Sequence, residues 1–171
     1  MQINRNGRYT AYLSTSKGEI VIALEPKQAP LAVNNFVFLA RHRFFDHIPF
    51  WRIIKGFMIQ TGDPTGSGTG GPGYSFKIES SGRNFLPGTV AMANTGQPNS
   101  NGSQFFICEG SSCANLDSAP PPGYTIFGHV VKGLAVVKAI GSVPTHLGND
   151  GSMSAPDSPV YLNSVRITGP A

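Results

Sequence analysis

The sequence predicts a mainly β protein of about eight short strands and two helices, folded as a sandwich or a closed barrel. Charged residues make up only 13 % of the chain, while Gly numbers 21 and Pro 14, a composition rich in turns and poor in helix surface. Eleven Phe supply core volume and argue against disorder. Apolar residues recur mostly at spacing two in short runs, and only two stretches show spacing of three to four. The length of 171 residues suits one domain with one core, spanning 1–171.

Each element follows from its local pattern. RYTAYLST (8–15) and GEIVIALE (18–25) alternate about a short turn at Ser16-Lys17-Gly18, a hairpin signal. Val33, Phe36, Val37, Ala40 and Phe44 then set a helical period, giving a helix over 30–42 with Pro30 in its first turn. Strand-like runs follow at FWRII (50–54), FMIQ (57–60), GTVAMAN (88–94), QFFIC (104–108), TIFGHVV (125–131) and VYLNSVRIT (160–168). Leu134, Val137 and Ile140 mark a second short helix, stopped by Gly141. The glycine-rich stretch 62–73 is irregular, and 141–159 reads as a long surface loop. Two widely spaced helices suit the open ends of a barrel.

Several functions are disfavoured. The net charge is +4, but the basic residues are scattered and form no run, so nucleic acid is not an expected partner. The start, MQINRNGRYT, has no apolar stretch of signal-peptide length, and no run is long enough to span a bilayer. The expectation is a soluble cytoplasmic protein with no membrane partner, although a removed leader or anchor would leave the same sequence. Cys108 ends the apolar run FFIC and Cys113 lies in the loop-like EGSSCAN; spacing leaves a disulfide between them open, and the favoured reading is two free thiols in a reducing compartment. Gly66, Gly68 and Gly71 spell G-x-G-x-x-G, but Pro72, Gly73 and a strand-like YSFKI follow, so no helix N-terminus is available for a pyrophosphate. His42, His47, His129 and His146 form no metal-ligand pair, and neither cysteine has a C-x-x-C partner. Ser103 lies in NGSQF rather than a nucleophile elbow. No metal or cofactor is expected.

One stretch poses a chemical question. FWRIIKGFMIQTGD (50–63) sets a permanent charge, Arg52, and an amide, Gln60, in an apolar run. An unpaired buried guanidinium is costly, so these groups have partners or face a site. By strand alternation Met58 and Gln60 share one side, opposite Phe57 and Ile59; Gln104 and Phe106 share a side, opposite Phe105 and Ile107. Two strands thus present an amide beside a large apolar group. With Arg52 they would form a shallow apolar pocket rimmed by donors, suited to a peptide. Spacing alone leaves equally open that Phe57, Met58 and Phe106 are ordinary core, with Arg52 paired to Asp63 or a neighbour.

This stretch, together with GTVAMANTGQPNSNGSQFFIC (88–108) and YTIFGHVVKGLAVVKAI (124–140), resembles the cyclophilin family of peptidyl-prolyl cis-trans isomerases, its bacterial members included, from about Arg8 to Ile167. The resemblance implies an eight-stranded antiparallel closed β-barrel capped by two α-helices. It implies isomerisation of X-Pro bonds in polypeptides as an aid to folding, with proline-containing peptides and unfolded chains as partners and a monomer as the working form. The alternative is a proline-peptide binding module or holdase with incidental catalysis, which the intact Arg52, Gln60 and Phe106 disfavour. Arg52 matches the family's catalytic arginine, and Gln60 the glutamine that orients it. Phe57, Met58, Phe106 and Leu116 match the walls of the proline pocket. Ala93, Asn94 and Gln104 match peptide-contacting positions, Asn94 through its backbone; Thr95 and the 66–73 loop would line the neighbouring groove. Four positions depart from the family pattern. Tyr124 stands where the pocket histidine is common, and Asn115 replaces a tryptophan linked to tight cyclosporin binding, which implies weak binding of that ligand. Gln97 is a one-residue insertion, and Trp51 replaces a histidine and reads as packing.

Overall fold

The computed structural model describes residues 2–80 and 82–170. Strand β1 (Tyr9–Thr15) and strand β2 (Gly18–Leu24) form the expected hairpin, with Thr15 opposite Gly18. The Thr15 hydroxyl closes the turn, donating to the Gly18 carbonyl at 2.6 Å and accepting the Lys17 N–H at 3.1 Å. Helix α1 (Pro30–Arg41) follows. Its N-cap, Ala29, has no side-chain oxygen to offer. The Glu79 carboxylate takes that role from 48 residues away in sequence, accepting the N–H groups of Leu31 at 3.0 Å and Ala32 at 2.9 Å.

The remaining barrel strands are β3 (Ile48–Pro49), β4 (Arg52–Ile54), β5 (Met58–Thr61), β6 (Thr89–Met92), β7 (Phe105–Cys108), β8 (Ile126–Lys132) and β11 (Tyr161–Thr168). They join β1 and β2 in one curled antiparallel sheet of nine strands, in the order β3-β11-β1-β2-β8-β6-β7-β5-β4. The two ends of that order are successive pieces of one segment. Ile48 and Pro49 pair with β11, Phe50 donates its N–H to the Val160 carbonyl at 2.8 Å, and Arg52–Ile54 pair with β5. Segment 48–54 therefore joins the curled sheet to itself, leaving little free edge. Counted as one broken strand, it turns the nine strands into the eight expected.

The core lies between α1 and the inner face of the sheet. Ala32, Val33, Phe36, Val37, Leu39 and Ala40 of α1 are buried. The Phe36 ring lies 5.1 Å from Phe45 and 5.3 Å from both Phe105 and Phe127, so one helix residue joins a loop and two strands. Helix α2 (Leu134–Gly141) buries Val137 and Ile140.

Four expectations need correction. Gly141 is not a left-handed stop; it is the buried last residue of α2, and a Cβ there would lie 2.5 Å from Glu109 Cγ. Its glycine is required by close packing. The 141–159 stretch is not a plain loop, because β9 (Thr145–Leu147) and β10 (Met153–Pro156) pair within it as a separate small sheet. Residues Ser111–Ser118 form a 3-10 helix that their polar sequence does not announce. Finally, Cys108 and Cys113 are not free thiols but a disulfide, with Cα atoms 5.7 Å apart. The turn at Glu109-Gly110 folds the 3-10 helix back on β7 and brings two fully buried sulfurs together. This removes the thiol argument for a reducing compartment. Among the described residues, no helix is long and apolar enough to cross a membrane.

Phe36→Ala would empty the junction of three rings. It is expected to lower unfolding stability by about 3–5 kcal/mol, read from urea denaturation.

Candidate active site

Strands β5, β7 and β6 are four residues long and buried at every position. One face points into the barrel with Ile59, Phe105, Ile107, Val90 and Met92. The other carries Met58, Phe106, Cys108 and Ala91, which join Phe85, Cys113 and Ile126 in a second apolar cluster outside the barrel. Phe57, Ala93, Leu116 and Tyr124 pack on that cluster and are only partly buried. A groove of about 750 Å³ lies over this surface, lined by Arg52, Phe57, Met58, Gln60, Ala93, Asn94, Thr95, Gln104, Phe106, Leu116 and Tyr124. Every site residue expected from the sequence is thus brought together.

Register explains the convergence. Arg52 stands opposite Gln60, Gln60 opposite Phe106, Phe106 opposite Ala91, and Ala91 opposite Ile126. One transverse row therefore carries the cation, the amide and the aromatic ring on a single face. Phe57 needs correction: it lies in the turn before β5, its N–H bonded to the Ile54 carbonyl at 3.0 Å. The turn frees it from strand alternation, so it packs with Met58 on the outer cluster. The Tyr124 ring meets Phe106 edge-on, with centroids 5.6 Å apart, and so adds to the aromatic wall.

The polar groups form a connected rim. Gln104 Oε1 accepts from Gln60 Nε2 at 3.1 Å and from Trp51 Nε1 at 3.0 Å. Gln104 Nε2 donates to the carbonyls of Gly68 and Gly70, both at 3.0 Å. Trp51 does pack, as expected, since a Cβ on Gly68 would lie 2.7 Å from its ring. The Asn94 side chain is turned away to the chain itself, donating to the Gly123 carbonyl at 3.0 Å and accepting the Gly96 N–H at 2.9 Å.

Asp63 is not the partner of Arg52. It is fully buried and accepts from the Thr65 hydroxyl at 2.7 Å and from the N–H groups of Thr65 at 2.8 Å, Gly68 at 2.6 Å and Gly70 at 3.1 Å. Burial pushes its carboxyl up, but these donors outweigh it and hold the group below its ordinary value. The glycine-rich stretch is thus folded around a carboxylate and forms a wall of the groove. Arg52 instead donates from Nε to Asp150 Oδ2 at 2.6 Å, and its Nη1 lies 3.8 Å from Met58 Sδ. Asp150 also lines the groove. Sequence reasoning missed it because it lies 98 residues from Arg52 in a segment without apolar periodicity.

The family model for cyclophilin type peptidyl-prolyl cis-trans isomerase/CLD matches residues 10–167. The chain belongs to the cyclophilin-type peptidyl-prolyl cis-trans isomerases. It is 42 % identical over 178 residues to peptidyl-prolyl cis-trans isomerase A of Mycobacterium tuberculosis, covering 93 % of this chain and 92 % of that protein. It is 45 % identical over 138 residues to peptidyl-prolyl cis-trans isomerase CYP71 of Arabidopsis thaliana, covering 78 % of this chain but only 21 % of that longer protein. The crystal structure of a cyclophilin type isomerase from Cryptosporidium parvum superposes with a TM-score of 0.83 at 30 % identity, covering 94 % of this chain and 98 % of that one. A second structure of the same protein, determined in the presence of the dipeptide Ala-Pro, gives a TM-score of 0.82 at 30 % identity, covering 93 % and 98 %.

The Asp63 network makes a pH-dependent prediction for this cyclophilin. Its folded pKa is depressed, so its stabilisation is complete above the unfolded carboxylate value of about 3.9 and is lost as pH falls through the folded value. Urea unfolding between pH 7 and 3 is expected to show a shallower acid loss for Asp63→Asn than for wild type. At pH 7 that variant is expected to be less stable and to show a several-fold higher KM, because the glycine wall loosens.

Proposed function

We propose that this chain rotates X-Pro bonds of polypeptides bound in the groove over Phe106, with Arg52 as the catalytic donor and without a covalent step. The observation that carries this reading is Arg52 itself, a partly buried guanidinium at the rim of an apolar surface, with Nε engaged and Nη1 directed toward Met58.

The chemistry follows from amide resonance. Rotation about the peptide bond has a barrier of about 18–20 kcal/mol because the planar form places positive character on nitrogen and negative charge on oxygen. Water stabilises that polar ground state. As the bond twists, charge separation falls and the prolyl nitrogen gains a lone pair. Phe57, Met58, Phe106, Leu116 and Tyr124 hold the ring and exclude water. An Nη donor of Arg52 then bonds the nitrogen only when it has become basic, so the interaction is stronger in the transition state than in the ground state. Guanidinium suits this role because it remains charged and its donors are rigidly forked. Gln60 and Gln104 supply the amide rim, and the Asn94 backbone holds the carbonyl before the proline. The groove is partly open to solvent, which supports extended polypeptides, including unfolded chains, as substrates. Asn115 is exposed on the 3-10 helix and puts no large ring beside the pocket, which supports weak cyclosporin binding.

One well-placed donor contributes about 3–4 kcal/mol to a transition state. Arg52→Ala is therefore expected to lower kcat/KM for a short X-Pro peptide by roughly 10²–10³-fold while the barrel stays folded. Line-shape or exchange NMR on the peptide measures this. Near-wild-type rotation in the variant would sink the mechanism, and binding without rotation in the wild type would leave a proline-peptide binding module.

A further inference from the structure

We propose that Asp150 is the positioning residue of the isomerase site, acting through Arg52; the proposal rests on Arg52 being the catalytic donor. Its Oδ2 accepts from Arg52 Nε at 2.6 Å. Its Oδ1 is itself fixed, by the Ser154 hydroxyl at 2.6 Å and the Ser152 N–H at 3.0 Å. Ser154 lies on β10 and is 1 % exposed, so the clamp is anchored in the small sheet rather than in a floppy loop. The loop is tight as well: the Gly148 N–H donates to the Ser152 carbonyl at 2.8 Å, and a Cβ on Gly148 would lie 2.6 Å from Ser154 Oγ and 3.1 Å from Asp150 Oδ1. The result is a chain of contacts from β10 through Ser154 and Asp150 to the side of the guanidinium that faces away from Met58.

The geometry determines what the contact does. A guanidinium is a planar fork. Holding Nε fixes the plane and leaves the Nη donors to point over the pocket. Without that hold the long side chain is free to swing, and misplacement of a donor by about 1 Å can cost on the order of 10²-fold in rate. Gln60, the residue expected to orient the arginine, is its cross-strand neighbour but gives its amide hydrogen to Gln104. Stability is a poor reason for the Arg52–Asp150 pair, since ion pairs near the surface contribute little. A carboxylate also partly offsets the positive field of Arg52. Asp150 therefore slows the reaction if field strength dominates and speeds it if orientation dominates. The second clamp on Asp150, which serves no purpose for field strength, points to orientation. Arg52 is the charged group facing Asp150; His146 of β9 is turned onto Asp157 at 2.9 Å. Burial pushes the Asp150 carboxyl up, but Ser154, Arg52 and Ser152 hold it below its ordinary value, so the clamp persists across neutral pH.

The test uses Asp150→Ala, Asp150→Ser and Asp150→Asn, each alone and with Arg52→Ala. Serine keeps a polar loop but cannot reach Arg52; asparagine keeps an acceptor. Alanine and serine are each expected to lower kcat by roughly tenfold with KM within about twofold, and asparagine to recover most of the loss. In the Arg52→Ala background all three are expected to have no further effect. A kcat in Asp150→Ser that equals or exceeds wild type would overturn the proposal, as would the same proportional loss with and without Arg52. Arg52→Ala alone separates the two claims. Full activity there removes both, whereas an inactive Arg52→Ala beside a fully active Asp150→Ser removes only the role of Asp150.

Discussion

Everything in the site depends on three short strands being buried on both faces. In β5, β7 and β6 no residue is left for solvent. Their inner side chains fill the barrel, and their outer ones need a second apolar layer. The 3-10 helix, Phe85 and Tyr124 supply most of that layer but do not cover it. The part left open is the groove. An open apolar surface is thus a consequence of how the barrel wall is covered, and the disulfide from Cys108 to Cys113 ties the covering helix to the wall it covers.

On such a surface a single cation has strong leverage. Arg52 enters the row Arg52, Gln60, Phe106, Ala91 because β4 pairs with β5 in that register. A slip by one residue would turn the guanidinium into the barrel, where Ile53 now sits fully buried. The amides are held with equal economy. Gln104 joins Trp51, Gln60 and the carbonyls of Gly68 and Gly70, so one side chain links β7 to the glycine-rich wall. Asp63 anchors that wall from within. The loop that resembles a phosphate cradle on paper is occupied by the protein's own carboxylate.

The strongly periodic elements were legible from sequence to within one or two residues. Hairpin β1–β2, helix α1 and the long strands β8 and β11 each carry enough alternating or helical pattern to be read alone. So were eleven of the residues that line the groove, although strand alternation and spacing supplied only the amides beside Met58 and Phe106, and the family resemblance supplied the rest. What escaped had weak local signals. Strands β9 and β10 are short, with exposed Leu147 and Met153, so their pattern does not mark a core face. The cysteines were misread because a separation of five residues does not reveal that a turn brings them together. Phe57 was set on the wrong face because alternation was extended one residue beyond the strand.

The sequence by itself determined the strands and the two α-helices, because alternation and helical period are properties of neighbouring residues, and its family resemblance supplied the closed barrel and the identity of the pocket walls. Tertiary structure alone decided which carboxylate meets Arg52. Asp63 is close in sequence and is consumed by backbone donors; Asp150 is distant and arrives on a hairpin. A charged group takes the partner whose geometry satisfies it, and that geometry exists only once the chain has closed on itself.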